Sequence, residues 1–445
     1  MTDDLNRRDF GKTLVRAAGA GMALASAPAI LARDARPAVL GGKPIRTQAF
    51  PSWPRIAKND GEAWAEVLQS KAWCRLDGNH VTKFEQAWGG ALGAKHCLGT
   101  TSGTTALLTA LNALDVGPGD EVIVPPYTFV ATINVVLMQF ALPVFVDSDR
   151  ETFQIDANKI EAAITPRTRA IMPVHLGGSV ADMDKILAIA KARNIPVLED
   201  ACQAHLAEWR GKKVSTLGDA GCFSFQGSKN LNSGEGGALL TNDDGVHERA
   251  LSFHNNGRGE TTYNYSFVRN GCNHRMTEFQ GALLTTQLSR LEAQARTREQ
   301  NAQYLTSRLK EIPGISPARM YDGCTRNAYH LYMFRYAPQP FAGMPLDKFL
   351  KAVKAEGIPA GAGYGPLNKE PVIEASIGSR HFRKVFSEAE LASYRERIQC
   401  PENDRLCQEG VWLAQTVMLG TKADMDDIAN AVLKVHKNAA ELARS

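Results

Sequence analysis

Ile195-Pro196-Val197-Leu198-Glu199-Asp200 is an apolar run closed by two acids, and Phe223-Ser224-Phe225-Gln226-Gly227-Ser228-Lys229-Asn230 is a second apolar run that ends in a turn carrying a lysine. The glycine-rich Gly234-Glu235-Gly236-Gly237 follows. Runs of this kind recur on either side. Glu121-Val122-Ile123-Val124 reads as a short buried strand, and so do residues 143–147, 170–175, 197–200, 222–226 and 238–241. Helical runs over 104–114 and 182–193 lie among them. Strands apolar on both faces, alternating with helices, predict an α/β fold whose mostly parallel sheet is covered on both sides. Residues 277–311 predict a long helix leading away from it. A strand over 329–336 and helices over 346–356 and 423–439 predict a smaller α+β C-terminal domain. The expected division is an extended Pro- and Gly-rich arm over 33–58, a large domain over 59–300 and a small domain over 301–445.

The length of 445 residues is too great for one ordinary core and suits this division. An apolar fraction of 44% and a charged fraction of 22% are those of a soluble globular protein. The net charge of +4 is spread along the chain without a basic cluster interleaved with aromatics, which argues against nucleic acid as partner. Eight scattered cysteines, with no C-x-x-C pair and no histidines at zinc spacing, predict reduced thiols and no metal site. Asn6-Arg7-Arg8-Asp9-Phe10-Gly11-Lys12 precedes a mildly apolar stretch over 14–32 rich in Ala and Gly. This is the pattern of a twin-arginine (Tat) signal peptide over residues 1–32, and it predicts a periplasmic or otherwise exported protein, cytoplasmic if the signal goes unused. An N-terminal amphipathic helix is the plainer reading. No later stretch is long and apolar enough to span a bilayer.

The candidate chemistry begins at Thr101-Ser102-Gly103-Thr104-Thr105, where a glycine and hydroxyl residues open a helix. Free N–H groups and the helix dipole there attract a phosphate, with Gly103, Thr104 and Thr105 as candidates; a Ser/Thr cap without ligand is the plainer alternative. Asp200 ends a strand, where open α/β sheets place ligands, and a buried aspartate there needs a partner such as a pyridinium N–H. Capping of the next helix would also account for it. Gln203 is within reach of the same ring, and Phe129, after the strand 121–124, could stack on it or simply be core. Ser224 precedes Lys229 closely enough for its hydroxyl to meet the phosphate while the lysine meets an aldehyde. A lysine that forms a Schiff base and a carboxylate that keeps a pyridine nitrogen protonated are what pyridoxal 5'-phosphate chemistry requires. Each signal is weak alone, and their compatible order makes the case.

The order of Ser-Gly-Thr-Thr, Pro-Tyr-Thr-Phe-Val-Ala-Thr, Glu-Asp-Ala-Cys-Gln-Ala-His, Phe-Ser-Phe-x-x-Ser-Lys-Asn and Gly-Cys-Asn-His-Arg-Met-Thr-Glu-Phe-Gln resembles the DegT/StrS family of sugar aminotransferases over roughly residues 40–440. The arm from Gly41 to Pro54 and Trp73-Cys74-Arg75 resemble its scyllo-inosose aminotransferase and 3-amino-5-hydroxybenzoate synthase subgroup. The resemblance implies a fold-type I enzyme. It implies Lys229 as the cofactor's attachment point, Asp200 on the pyridine nitrogen, Gln203 near the phenolate, and Gly103, Thr104 and Ser224 on the phosphate. It also implies Asn273 reaching the phosphate of a neighbouring subunit, hence a homodimer with shared active sites. The implied activity is ping-pong transfer of an amino group from glutamine or glutamate to a keto sugar or keto-cyclitol.

Two departures touch the expected pocket. His175-Leu176-Gly177-Gly178 lacks the aromatic of His-Leu-Tyr-Gly, and Leu206 stands where a glycine usually follows Gln-Ala-His. Lysine at 229, where the family's sugar dehydratases have histidine, argues for transamination. The rival from another class is an exported non-catalytic binding or sensor protein that holds pyridoxal phosphate or a sugar. Other pyridoxal phosphate reactions, dehydration or racemisation, are a second rival.

Overall fold

The computed structural model describes residues 36–259 and 266–445. The expected signal peptide over 1–32 and the first residues of the arm therefore lie outside the described residues. Seven strands form the large sheet: β1 (His96–Thr100), β2 (Glu121–Val124), β3 (Leu142–Phe145), β4 (Thr168–Ile171), β5 (Leu198–Asp200), β6 (Ala220–Ser224) and β7 (Gly237–Thr241). Ladders join β3-β2-β4 and β5-β6-β7-β1, and parallel bridges Ile171–Val197 and Val174–Asp200 connect the two sets into one sheet. Only the pairings of β7 with β6 and β1 are antiparallel. The expected mostly parallel sheet is present.

Three strands end before their expected limits, β3 at Phe145, β4 at Ile171 and β6 at Ser224. β4 stops at Ile171 because Pro173 has no N–H to extend the ladder, leaving a lone bridge from Val174 to Asp200. Pro143 lies inside β3, which is tolerated because β3 is the edge strand.

The helices that frame this sheet are α1 (Lys58–Ser70), α2 (His80–Leu92), α3 (Gly103–Ala113), α4 (Ala131–Met138), α5 (Met183–Arg193), α6 (Asp244–His254) and α7 (Glu278–Leu309). Along β2 the side chains alternate between two cores, as a pleated strand requires. Ile123 joins Phe84 and Trp88 of α2 and Ile186 of α5, whereas Val122 and Val124 join Leu107 of α3, Val136 of α4 and Ala250 of α6. Leu206 is held in the left-handed region at φ 66°, a conformation that glycine adopts more easily than leucine. Its side chain is buried in the first of these cores.

Helix α7 opens with a Thr277–Gln280 capping box and runs 32 residues, about 48 Å at 1.5 Å per residue. Leu284, Leu291 and Ala295 pack in the first of these cores, and Ala302, Leu305 and Leu309 in a third core. That third core covers an antiparallel sheet of Ile315–Pro317, Leu331–Tyr336, Gly410–Ala414 and Gly361–Ala362. The arm docks there, with Arg46 bonded to Asp424 and Asp427. The helices between 371 and 397 turn back onto the large sheet. Ile373, Phe382 and Leu391 enter its second core, and the Tyr394 hydroxyl donates to the carbonyl of Pro143 at 3.0 Å. All eight cysteines are unpaired. Among the described residues no helix is long and apolar enough to cross a membrane, and no group of His, Cys, Asp and Glu could hold a metal ion.

Candidate active site

Most of the candidate residues gather at the carboxyl ends of the parallel strands. After β1 the chain enters α3 through Ser102, whose Oγ accepts from Thr105 N at 3.1 Å while Ser102 N donates to Thr105 Oγ1 at 2.9 Å. Thr105 therefore closes the capping box and does not line the cavity. The amides of Gly103 and Thr104 are left without acceptors among the described residues. A Cβ on Gly103 would lie 2.7 Å from Ser224 Cβ and 2.9 Å from Cys202 Sγ. Only glycine lets the helix start lie this close to the end of β6. The Thr104 and Ser224 side chains border the same space.

Asp200, at the end of β5, is 4% exposed and has no cationic partner among the described residues. Its Oδ2 accepts from the Thr132 hydroxyl at 2.8 Å and its Oδ1 from Cys202 N at 3.1 Å. A buried carboxylate held by neutral donors alone is costly unless a further donor arrives. Gln203 is fixed by Gly177 N, which donates to its Oε1 at 2.8 Å, and its Nε2 donates to the Tyr364 hydroxyl at 3.0 Å. Burial raises the Tyr364 phenol above its ordinary range. Phe129 is 56% exposed, its ring bordering the cavity instead of entering a core.

Lys229 follows β6 in a tight turn. Its Nζ makes no hydrogen bond or ion pair among the described residues, and the half-buried side chain lines the cavity. Enclosure by protein lowers its pKa, and the nearby Cys202 and Asp200 partly offset that. A lysine so placed is more readily the neutral, nucleophilic amine. Behind its turn, Arg298 of α7 is fully buried and donates through Nε and Nη2 to Gln415 Oε1 at 2.9 and 2.5 Å. Gln415 Nε2 donates in turn to the carbonyl of Ser228 at 3.4 Å. Burial and the charge of Arg55 bring the Arg298 guanidinium down to about 9.

These groups enclose a cavity of about 550 Å³. Thr132, Tyr364 and His330, which sequence reasoning did not single out, line it together with Gly103, Thr104, Phe129, Asp200, Gln203, Ser224 and Lys229. Asn273 does not; it is exposed, its backbone bridged to Asn255 and its Oδ1 accepting from Arg275 N at 3.3 Å. The donor set fits pyridoxal phosphate. Two open amides and two hydroxyls suit a dianion, an unpartnered lysine suits an aldehyde, and an uncompensated buried carboxylate suits a ring N–H.

Comparison with known proteins agrees with this geometry. The sequence profile described as the DegT/DnrJ/EryC1/StrS aminotransferase family matches residues 54–433. An L-glutamine:2-deoxy-scyllo-inosose aminotransferase of Streptomyces fradiae is 37% identical over 421 residues, covering 91% of this chain and 99% of that protein. The protein of the same name from Streptoalloteichus tenebrarius is 35% identical, with 91% and 98% covered. The crystal structure of 3-amino-5-hydroxybenzoic acid synthase superposes with a TM-score of 0.79 at 31% identity, covering 90% of this chain and all of that one.

Proposed function

The chain belongs to the DegT/DnrJ/EryC1/StrS aminotransferase family, and from that premise we propose that it moves an amino group from glutamine to a keto-cyclitol or related keto sugar, using pyridoxal phosphate bound in the cavity of Lys229. One observation carries the site assignment: a single cavity holds a lysine and a buried carboxylate, neither of which makes an ion pair at hydrogen-bond distance among the described residues. The 2-deoxy-scyllo-inosose relatives support the substrate class, because they match the chain along nearly their full length.

Bound pyridoxal phosphate supplies an electron-withdrawing ring that makes the α-proton of an attached amino acid acidic. The chain's own groups divide the remaining work. The Gly103 and Thr104 amides, with the Thr104 and Ser224 hydroxyls, hold the phosphate at the positive end of α3. Asp200 keeps the ring nitrogen protonated, and the Thr132 hydroxyl and Cys202 amide hold its carboxylate in place. Phe129 and Gln203 would border the ring, with the Gln203 carboxamide pinned by Gly177. Lys229 Nζ would hold the cofactor's aldehyde, and the same amine would serve as the base that moves a proton. Its lowered pKa favours the basic form needed for that.

Lys229→Ala is expected to lose both the yellow absorbance of the bound cofactor and all turnover, and a variant that kept both would end the proposal. Asp200→Ala should retain the cofactor poorly; wild-type kinetics in that variant would remove the role given to this acid. Glutamine should bleach the loaded protein to its pyridoxamine form, which a non-catalytic binding protein would not permit.

The same proposal includes a homodimer in which Asn273 reaches a neighbour's phosphate. Exposure of Asn273, and of Trp64, Trp73, Phe267 and Val268, supports a covered face. Sedimentation showing only monomers would count against it. Export through the twin-arginine pattern is part of the proposal as well. Replacing Arg7 and Arg8 by lysine should keep the protein in the cytoplasm, and unchanged fractionation would remove the export reading.

A further inference from the structure

The roles above leave His330 without a task. Its ring is 7% exposed and lines the cavity with Lys229. Asn230 decides where its proton sits. The Asn230 Nδ2 donates to the carbonyl of Ala328 at 2.7 Å, which fixes the amide and turns Oδ1 toward His330 Nδ1, 3.3 Å away. Two acceptors do not face each other at that distance, so the network places the proton on Nδ1. Nε2 then carries a bare lone pair. It has no donor among the described residues, and it is not among the side-chain atoms sealed from solvent without a partner.

Burial and the charge of Lys229 push this imidazole well below its ordinary pKa, with His205 and Arg298 adding to the effect. A ring that stays neutral accepts a hydrogen bond but does not take up a proton. A fixed lone pair repels a carboxylate, so it does not suit the α-carboxylate of an amino-acid donor. It suits an O–H group, and a keto-cyclitol carries several.

We infer that His330 Nε2 accepts a hydrogen bond from a ring hydroxyl of the keto-cyclitol and thereby selects acceptors that are hydroxylated at that position. The inference rests on the amino-transfer reading and adds the contact that chooses the acceptor. A cavity wall that offers a hydroxyl its acceptor disfavours the deoxy analogue, which would leave that lone pair unmatched.

The test separates the two half-reactions in the full chain loaded with pyridoxal phosphate. Glutamine drives the first half, read as loss of the cofactor's yellow absorbance. scyllo-Inosose and 2-deoxy-scyllo-inosose drive the second, read as its return. Two variants are compared, His330→Asn, which keeps a polar atom near Asn230 but cannot reach the Nε2 position, and His330→Gln, which can. In His330→Asn the half-saturating concentration of the best inosose should rise roughly 10- to 100-fold, with the glutamine half-reaction changed by no more than about threefold. His330→Gln should recover most of that loss. Equal losses in both half-reactions would overturn the inference in favour of a contact with Lys229 or a general effect on folding. A loss confined to glutamine, no loss at all, or failure of Gln to rescue would overturn it too. Wild-type protein inert to glutamine would instead sink the amino-transfer reading, and this inference with it.

Discussion

Two lysine–acid sets in this molecule show opposite uses of buried charge. Where the arm meets the C-terminal region, Lys434 is 4% exposed, and its Nζ lies 3.0 Å from Glu356 and 2.7 Å from the carbonyl of Lys43. Glu356 is fully buried and also accepts from Ala38 N at 2.8 Å and Ile45 N at 3.0 Å. Every charge there is answered within the chain, and the set fastens the arm. In the cavity Asp200 is also buried, yet among the described residues it meets only a hydroxyl and an amide, while Lys229 meets no acid at hydrogen-bond distance. Charges answered internally hold structure; charges left unanswered beside a cavity leave places for a ligand.

The strongest way to break this comparison is to remove each lysine set in turn. Lys229→Ala should cost at least about 10⁴-fold in turnover while the melting temperature of the cofactor-free protein stays level or rises. Glu356→Gln should do the reverse. It strands a buried ammonium, so stability should fall by about 3–5 kcal/mol, with turnover little changed at temperatures where the protein stays folded. The check is denaturant unfolding alongside steady-state rates. Loss of turnover in folded Glu356→Gln would show that the two sets do not divide the work as described.

The two regions also differ in how much of them is legible from sequence. The sheet is legible because parallel strands buried on both faces leave continuous apolar runs, and the strand ends then locate Asp200, Ser224 and Lys229. Thr132 is harder. Its motif stands out, but only the approach of α4 to β5 brings its hydroxyl to an acid 68 positions away. His330 and Tyr364 come from distant segments with no local signature, and Arg298, mid-helix, reads as one more solvated cation. The helices between 371 and 397 are short and charged, so nothing local says that Phe382 and Tyr394 pack on the large sheet. Thr105 shows the converse error, since a hydroxyl in the right motif can belong to the cap.

A finer probe asks how much Asp200 depends on its neutral donors. Thr132→Val removes the hydroxyl at nearly constant volume. The carboxylate keeps the Cys202 amide and, when the cofactor is present, the ring N–H. Turnover should fall about tenfold, the equivalent of roughly 1.4 kcal/mol, with a smaller change in cofactor retention. A loss as large as that of Asp200→Ala would mean that Thr132 touches the reacting atoms itself. No loss would mean that the aspartate is oriented by its backbone contact alone.

The smallest effect expected is a slope in pH, and it bears directly on whether Lys229 is unanswered. Burial lowers the pKa of Lys229 in the folded, cofactor-free protein, whereas the unfolded chain restores the ordinary value of 10.5. Between the lowered value and 10.5 the unfolded state binds more protons, so this residue makes stability rise with pH across that window. Below the window both states hold the proton, and enclosing the cation carries its full cost. Lys229→Met removes that cost. The variant should therefore be more stable than wild type near neutral pH, with the gap closing as pH approaches 10.5. Lys434→Met, by contrast, strands Glu356 and should be the less stable protein throughout. Unfolding of the three cofactor-free proteins at fixed salt across this range measures both. A Lys229→Met gap that stays constant or changes sign would mean that an anion already answers this lysine in solution, and the contrast between the two sets would lose its basis.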